Sequence, residues 1–325
     1  MTPTLTIGVL GAALVAVALG GPWLLRRASS ALAHVPRLAV AILAAGSLAW
    51  VLAALALGPL AAWAFTGPAI PGRAGEVCRQ CLDAANPWTG STLINTWVPA
   101  IVLLALPTLA AMGLLTATTA RAWRHAQATR AVATEIRDKA SRTHLQGQPV
   151  LLIPDPAPLV FTLAARHGGV VVSTGARERL DQEELAAVLE HERAHLRQHH
   201  HLVMAVMRAL IPYLRWVPLI ASAAAAIPHY LEIAADDAAR RRTGTRALAT
   251  ALLKVGEPAS STSLPADLGG ALGAAGPHRI GHLVRPTARA ERWPALFLGS
   301  QVMLMLLATS AVGLPYAGAV ASGCF

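Results

Sequence analysis

Charged residues are scarce in this sequence of 325 residues: Asp, Glu, Lys and Arg together make up 14% of it, against 54% hydrophobic residues. Soluble globular domains average about 25% charged residues. The deficit is local, because long stretches carry no charge while the middle of the chain is charged at an ordinary density. The composition therefore excludes an ordinary soluble protein and predicts a membrane protein with one hydrophilic domain.

Acidic residues are also in the minority, with 17 Asp and Glu against 27 Lys and Arg and a formal net charge of +10. A basic balance can indicate a nucleic-acid partner. Here many arginines flank the apolar runs, where they orient membrane spans, and no recognition motif accompanies the charge. We therefore expect no direct nucleic-acid binding.

Cysteine is rarer still, with only Cys78, Cys81 and Cys324 in the chain. A structural zinc site would need a second pair of ligands close to the first two cysteines. A redox site would need a thioredoxin-like strand–helix–strand context, and the sequence offers neither. A local disulfide fits if this loop lies outside the cytoplasm; free thiols without a catalytic role are the alternative.

Four charge-free apolar runs are long enough to cross a bilayer, which takes about 20 residues. They cover approximately residues 5–25, 38–65, 93–119 and 294–320. The first is expected to remain as a span, because Arg26 and Arg27 follow it, whereas a signal peptide carries its positive charge in front. Residues 202–227 are apolar too, but Arg208 and Arg215 argue against a fifth span and favour an amphipathic element.

Arginines also set the expected orientation, because positively charged loops stay inside. They follow the first and third spans and precede the fourth, whereas the loop at 66–92 balances its charges. We therefore expect a multi-pass protein of the cell membrane with both termini outside. Residues 1–120 would hold three transmembrane helices and the external Cys-containing loop, 121–293 a cytoplasmic domain, and 294–325 the fourth transmembrane helix with a short external tail.

The cytoplasmic segment predicts a mixed α+β domain within a mainly α membrane protein. Short apolar strands are expected at 149–153 and 169–173. Asp181 and Glu184 have the spacing of a capping box, which starts a helix. Two helices are predicted, from Asp181 to at least Met207 and from about Tyr230 to about Arg242.

His191, Glu192 and His195 form the pattern His-Glu-x-x-His on the first of these helices. Residues four apart share one face of a helix, so the two imidazoles can converge on one Zn²⁺ while Glu192 stands beside a metal-bound water. This is the pattern of zinc peptidases, in which the metal lowers the pKa of its water and polarises the scissile carbonyl. Glu192 is assigned the role of general base.

Catalytic zinc needs three protein ligands, and the second helix offers the third. Glu232 can complete a His₂Glu site, and Asp236, one turn later, can accept the outer N–H of a ligand histidine. The alternative is that these residues lie on solvated helix faces with ordinary salt bridges, Glu190 with Arg193 and Asp236 with Arg240.

The strings VVVSTGARERLDQEELAAVLEHERAHLRQHHHL and LEIAADDAARRRTG resemble integral-membrane gluzincin peptidases. The resemblance is greatest to the BlaR/MecR-type antirepressor family, which is related to the HtpX and CAAX-prenyl protease groups. It implies the same ligands, base and supporting carboxylate, with one zinc per chain. It also implies that Val170, Val171 and Val172 form an edge strand that pairs with an extended substrate.

Some features depart from the resemblance or extend it. The chain ends at Phe325 without the penicillin-binding sensor domain of such transducers, so we expect no direct β-lactam sensing by acylation. His199, His200 and His201 could form a second metal site, although exposed or helix-packed side chains are the expectation. Arg279 is a candidate for stabilising an oxyanion, with a plain interfacial arginine as the alternative.

The predicted function is that of a zinc metalloendopeptidase that cleaves a cytosolic or membrane-proximal protein. The resemblance implies a transcriptional repressor of the BlaI type as substrate, in a signalling pathway. The alternative is a non-catalytic membrane signal transducer or binding module that uses the metal domain as a switch. In a signalling role, the external loop would act as a sensor or dock a separate sensor protein.

Overall fold

The computed structural model describes residues 3–68, 71–86, 88, 94–255 and 293–322, which are mostly helical. The helices are α1 (Pro3–Ala33), α2 (Pro36–Ala64), α3 (Arg73–Ala85), α4 (Ala100–Lys139), α5 (Thr174–Arg179), α6 (Gln182–Arg197), α7 (His200–Leu214), α8 (Pro218–Thr243), α9 (Thr245–Val255) and α10 (Trp293–Ala321). The strands are β1 (Phe65–Thr66), β2 (Ile94–Asn95), β3 (Ser141–Leu145), β4 (Gln148–Ile153), β5 (Val160–Thr162) and β6 (Val170–Ser173), with a 3-10 turn at Ala165–His167.

Five of the described helices are long and apolar enough to cross a membrane, namely α1, α2, α4, α8 and α10. Four of them overlap the charge-free runs of the sequence. The third run becomes helical only at Ala100, after Pro99, because residues 94–95 form β2 and pair in parallel with β1. The fifth helix, α8, begins well before the expected start near Tyr230, because Pro218 opens it at a position where a helix tolerates proline.

Helices α7 and α8 form a hairpin that packs among the apolar helices. On α7, the hydroxyl of Tyr213 donates a hydrogen bond to a carbonyl of α4. At the turn of the hairpin, Trp216 lies edge-on to Trp50 of α2, with ring centroids 6.4 Å apart. Helix α8 then returns alongside α1 and α2, where Ile220 is completely buried. The apolar stretch at 202–227 therefore enters the helical bundle, and α8 connects that bundle to α6.

Helix α3 lies in the loop that the sequence analysis places outside the membrane. Cys81 is disulfide-bonded, in agreement with the disulfide alternative for this cysteine. The indole N–H of Trp63 on α2 donates to the carbonyl of Leu82 on α3, at 3.2 Å. The ring of Trp63 also lies edge-on to Trp88, with centroids 5.6 Å apart. These contacts join α3 to the end of α2.

A four-stranded sheet with the order β3-β4-β6-β5 lies beside the His-Glu-x-x-His helix. Strands β4 and β6 confirm the two strands predicted from the sequence, and they pair in parallel. The other two pairings are antiparallel. Two strands are not predicted from the sequence: β3, which is polar, and β5, which has three residues.

The expectation that Val170, Val171 and Val172 form an edge strand is wrong. Strand β6 is interior, because Val171 is the partner of Leu151 on one side and of Phe161 on the other. All three valines are buried. The backbone of β6 is therefore already paired, and the edge of the sheet next to it is β5.

Helix α6 begins with the predicted capping box. The Asp181 carboxylate accepts from the N–H of Glu184, and the Glu184 carboxylate accepts from the N–H of Asp181. The expected continuation to Met207 is wrong, because α6 ends at Arg197 and His199 adopts the left-handed conformation with φ 56°. Few residues other than glycine accept this conformation, and here it turns the chain into α7.

Candidate metal centre

Small residues let α6 and α8 approach each other closely at the site. Ala187 and Ala194 on α6 are fully buried, as are Ala235 and Ala239 on α8. They form the apolar contacts between the two helices. Because these alanines let the helices approach closely, longer side chains beside them can reach across and meet.

The polar ends of three such side chains, His191, His195 and Glu232, lie close together. The Nε2 atoms of His191 and His195 are 3.0 Å apart. Glu232 places Oε2 at 3.4 Å from Nε2 of His191 and Oε1 at 3.5 Å from Nε2 of His195. All three ligand atoms lie within 4.8 Å of one another. Tetrahedral zinc with Zn–N bonds of about 2.0–2.1 Å separates its nitrogen ligands by about 3.3 Å, so the donor set and its spacing fit a His₂Glu zinc site.

His191 is held from behind by a carboxylate. Its Nδ1 lies 3.0 Å from Oδ1 of Asp236, which is almost completely buried. Burial lowers the pKa of His191, but the carboxylates of Asp236 and Glu232 outweigh it and raise the pKa to about 10. Asp236 does not pair with Arg240 as the salt-bridge alternative expected; Arg240 contacts Asp237 instead, at 3.2 Å.

His195 is held by a residue that the sequence analysis did not assign to the site. Nδ1 of His200 lies 2.8 Å from Nδ1 of His195, and its Nε2 lies 3.1 Å from Oε1 of Gln198. His200 is buried. Burial, with His195 next to it, lowers the pKa of His200 to about 3, so the ring is neutral. The left-handed turn at His199 brings His200 back onto His195, and nothing in the local sequence pattern signals that turn.

The other two histidines of the run differ from His200. His199 and His201 are exposed and stack on each other, with ring centroids 6.1 Å apart. Among the described residues, the single group with metal-ligand geometry is the one formed by His191, His195 and Glu232. One histidine of the run, His200, therefore contacts the cluster of His191, His195 and Glu232. The run forms no second metal-ligand cluster in the described part of the chain.

The candidate base lies on the sheet side of the cluster. Glu192 is buried, and its Oε2 accepts a hydrogen bond from the hydroxyl of Thr162 at 2.6 Å. Thr162 is the last residue of β5. The edge strand and the carboxylate are therefore in direct contact. Arg279, the candidate for an oxyanion, lies outside the described residues.

A buried carboxylate links α6 to the end of α8. Glu190 accepts from Arg242 at 2.8 Å, from Arg193 at 3.3 Å and from Arg197 at 3.4 Å, and Gln148 on β4 donates to it at 3.2 Å. Burial raises the pKa of Glu190, but the guanidinium groups, Arg242 first, lower it further than burial raises it. The salt bridge between Glu190 and Arg193 that the sequence analysis kept as an alternative is present beside the histidine–glutamate cluster.

A histidine–glutamate cluster on packed helices, beside helices apolar enough to span a bilayer, is a candidate metal centre in a membrane-associated protein. The chain belongs to the BlaR1 peptidase M56 family, whose sequence profile matches residues 78–274.

Two curated relatives point to a second, related group. The chain is 28% identical over 127 residues to a protease HtpX homolog of Levilactobacillus brevis, covering 38% of this chain and 43% of that protein. It is 32% identical over 89 residues to a protease HtpX homolog of Lactobacillus acidophilus, covering 27% and 30% respectively. The chain thus spans less than half the length of these relatives. No solved structure matches it.

Proposed function

We propose that the chain is a zinc-dependent endopeptidase of the His-Glu-x-x-His type. One observation carries the proposal: His191, His195 and Glu232 converge within 4.8 Å while the carboxylate of Glu192 follows directly along the same helix. Catalytic zinc takes three protein ligands of this kind and leaves a fourth position for water or substrate. Asp236 supports His191, because its carboxylate lies 3.0 Å from Nδ1 of that histidine.

The residues of the chain divide the work of peptide hydrolysis. Bound Zn²⁺ supplies a Lewis acid that activates water and polarises the scissile carbonyl. Glu192 accepts the proton of the attacking water and delivers it to the leaving amine nitrogen. The hydroxyl of Thr162, 2.6 Å from Oε2 of Glu192, orients the carboxylate for both transfers.

The outer edge of β5 replaces β6 as the proposed binding place for extended substrate. Strand β5 pairs on one side with β6 and with no other strand among the described residues. An extended peptide can add to such an edge through main-chain hydrogen bonds. Because Thr162 ends β5 and contacts Glu192, a peptide on this edge would pass the proposed base.

The proposed topology has α1, α2, α4 and α10 crossing the membrane, with the α7–α8 hairpin entering the bundle from the side of the peptidase domain. Support comes from the contacts of the hairpin with α1, α2 and α4 and from the arginines that flank the apolar runs. In this proposed arrangement the cluster faces the cytoplasm. A cytosolic or membrane-proximal substrate follows from that placement, and a BlaI-like repressor and a separate external sensor protein follow from the family resemblance.

Zinc content tests the proposal. The detergent-purified protein should hold about one zinc per chain, and His195→Ala should lose it, because two ligands do not retain catalytic zinc. Glu192→Gln should keep the zinc and abolish cleavage in a proteomic comparison of cells. Absence of zinc from the wild-type protein after loading would remove the peptidase proposal. Full signalling by Glu192→Gln would favour the non-catalytic transducer.

A further inference from the structure

A line of polar contacts joins the start of α2 to the zinc-ligand candidate His195. The Nε–H of Arg37, in the first turn of α2, donates to Oε1 of Gln198 at 3.0 Å. The same Oε1 lies 3.1 Å from Nε2 of His200, and Nδ1 of His200 lies 2.8 Å from Nδ1 of His195. Arg37 and Gln198 are 161 positions apart in the sequence, so the contact joins the helical bundle directly to the end of α6.

Metal binding by His195 at one end and the Arg37 guanidinium at the other determine which nitrogen of each histidine carries a proton. If Nε2 of His195 gives its lone pair to a metal, its Nδ1 carries a proton and must donate it to Nδ1 of His200. His200 then carries its own proton on Nε2 and donates to Oε1 of Gln198. That oxygen also accepts from Arg37, while the amide N–H of Gln198 donates to the carbonyl of Ala234 on α8 at 3.4 Å. Every donor therefore faces an acceptor.

We propose that Arg37, Gln198 and His200 form a positioning relay, through which the first turn of α2 holds the imidazole of His195 in its metal-binding orientation. The inference rests on the zinc site proposed above. Partners of this kind orient a ligand histidine, and their loss typically weakens metal binding about 10–100-fold. A movement of α2 relative to α6 would break the contact between Arg37 and Gln198. His195 would then be less well oriented, and the affinity for the metal would fall.

The three residues differ in burial, so their substitutions should weaken metal binding to different extents. His200 is buried, Gln198 is half-buried and Arg37 is exposed. The hydrogen bond of Arg37 therefore competes with water, and its loss should weaken metal binding less than the loss of His200 does. A positioning role predicts this order, whereas a purely local role of His200 predicts no effect at Arg37.

The experiment uses the full-length protein in detergent, stripped of metal and reloaded. Zinc affinity is measured by competition with a chromogenic chelator, and ligand geometry by the visible spectrum of the Co²⁺-substituted protein. The variants are His200→Ala, Gln198→Ala and Arg37→Ala, with Arg26→Ala as the matched control, since it removes the same charge from the same end of the bundle. Circular dichroism shows whether each variant is folded.

We expect zinc affinity to fall about 10–100-fold in His200→Ala and about 2–10-fold in Arg37→Ala, with a changed Co²⁺ spectrum in both and no change in Arg26→Ala. Arg37→Ala should add nothing further in the His200→Ala background, because the relay is already broken. Equal affinities for Arg37→Ala and Arg26→Ala, or additive losses in the double variant, would overturn the relay. If His200→Ala does not fold, Gln198→Ala takes its place, because it breaks the same line of contacts at the next residue. A wild-type protein without zinc would instead overturn the proposed function.

Discussion

Zinc binding should expel a proton from the site, and the reason lies in the surroundings of His191. Its Nδ1 is 3.0 Å from Asp236 and its Nε2 is 3.4 Å from Glu232. These carboxylates raise the pKa of His191 to about 10, against 6.5 for a free histidine. At neutral pH the ring is therefore an imidazolium, and zinc must displace the proton on Nε2.

Because a proton is displaced, the apparent zinc affinity should depend on pH, and this dependence can be measured. Between pH 7.5 and 9 the apparent zinc affinity should rise about tenfold per pH unit, because each unit lowers the competition from the proton about tenfold. Titration calorimetry in buffers of different ionisation enthalpy should show about one proton released per zinc at pH 7.5. An affinity that does not change over this range would refute the reasoning.

Asp236→Asn tests which group holds the proton. Removing the charge lowers the pKa of His191, so the variant should lose most of the pH slope. It also replaces the charged acceptor behind the ligand with a neutral amide group, and a change in such a partner typically costs about 10–100-fold in metal affinity. The ratio of wild-type to variant affinity should therefore increase with pH. Asp237→Asn is the matched control, since Asp237 pairs with Arg240 and not with the site, and it should keep the wild-type slope.

Three further predictions concern residues around the site. Thr162→Val should lower kcat about tenfold with unchanged zinc content, because the Glu192 carboxylate loses a hydrogen bond, and Thr162→Ser should restore it. Glu190→Gln should lower the free energy of unfolding by about 1–3 kcal/mol in thermal or chemical denaturation, because three arginines lose their carboxylate. Burial raises the pKa of Glu184, but Lys254 and the N–H of Asp181 bring it below 4.5. The stability from this charge is therefore complete above pH 4.5 and lost as pH falls through the lower folded pKa, so the deficit of Glu184→Gln, about 1 kcal/mol at pH 7, should vanish in acid.

The sequence allows the local part of this architecture to be predicted. The capping box at Asp181 and the strands β4 and β6 are present as expected, because each depends on neighbours within a few residues. The spacing of His191 and His195 required them to share a helix face, and the structure places their Nε2 atoms 3.0 Å apart. Glu232 joins them because α6 and α8 pack through alanines, a pattern that is readable only once the helices are known to be neighbours.

The parts that could not be predicted depend on contacts between distant segments. The interior position of β6 follows from β5, a three-residue strand too short to give a periodic signal. Helix α6 ends because His199 adopts the left-handed conformation. The residues around it are compatible with a continuous helix, so the sequence does not predict this end. The early start of α8 depends on its burial against α1 and α2, which outweighs the cost of Pro228 inside the helix.

The two ligand histidines are held in different ways, and this difference has a consequence for control of the site. His191 is oriented by Asp236, a charged acceptor on α8 within the same packed helix pair. His195 is oriented by His200, a neutral acceptor whose other nitrogen reaches the Gln198 amide and, through it, α2. A change in the bundle can therefore act on one ligand while the other stays in place. Metal geometry, rather than the presence of the ligands, is then the quantity that a movement of the membrane helices would alter.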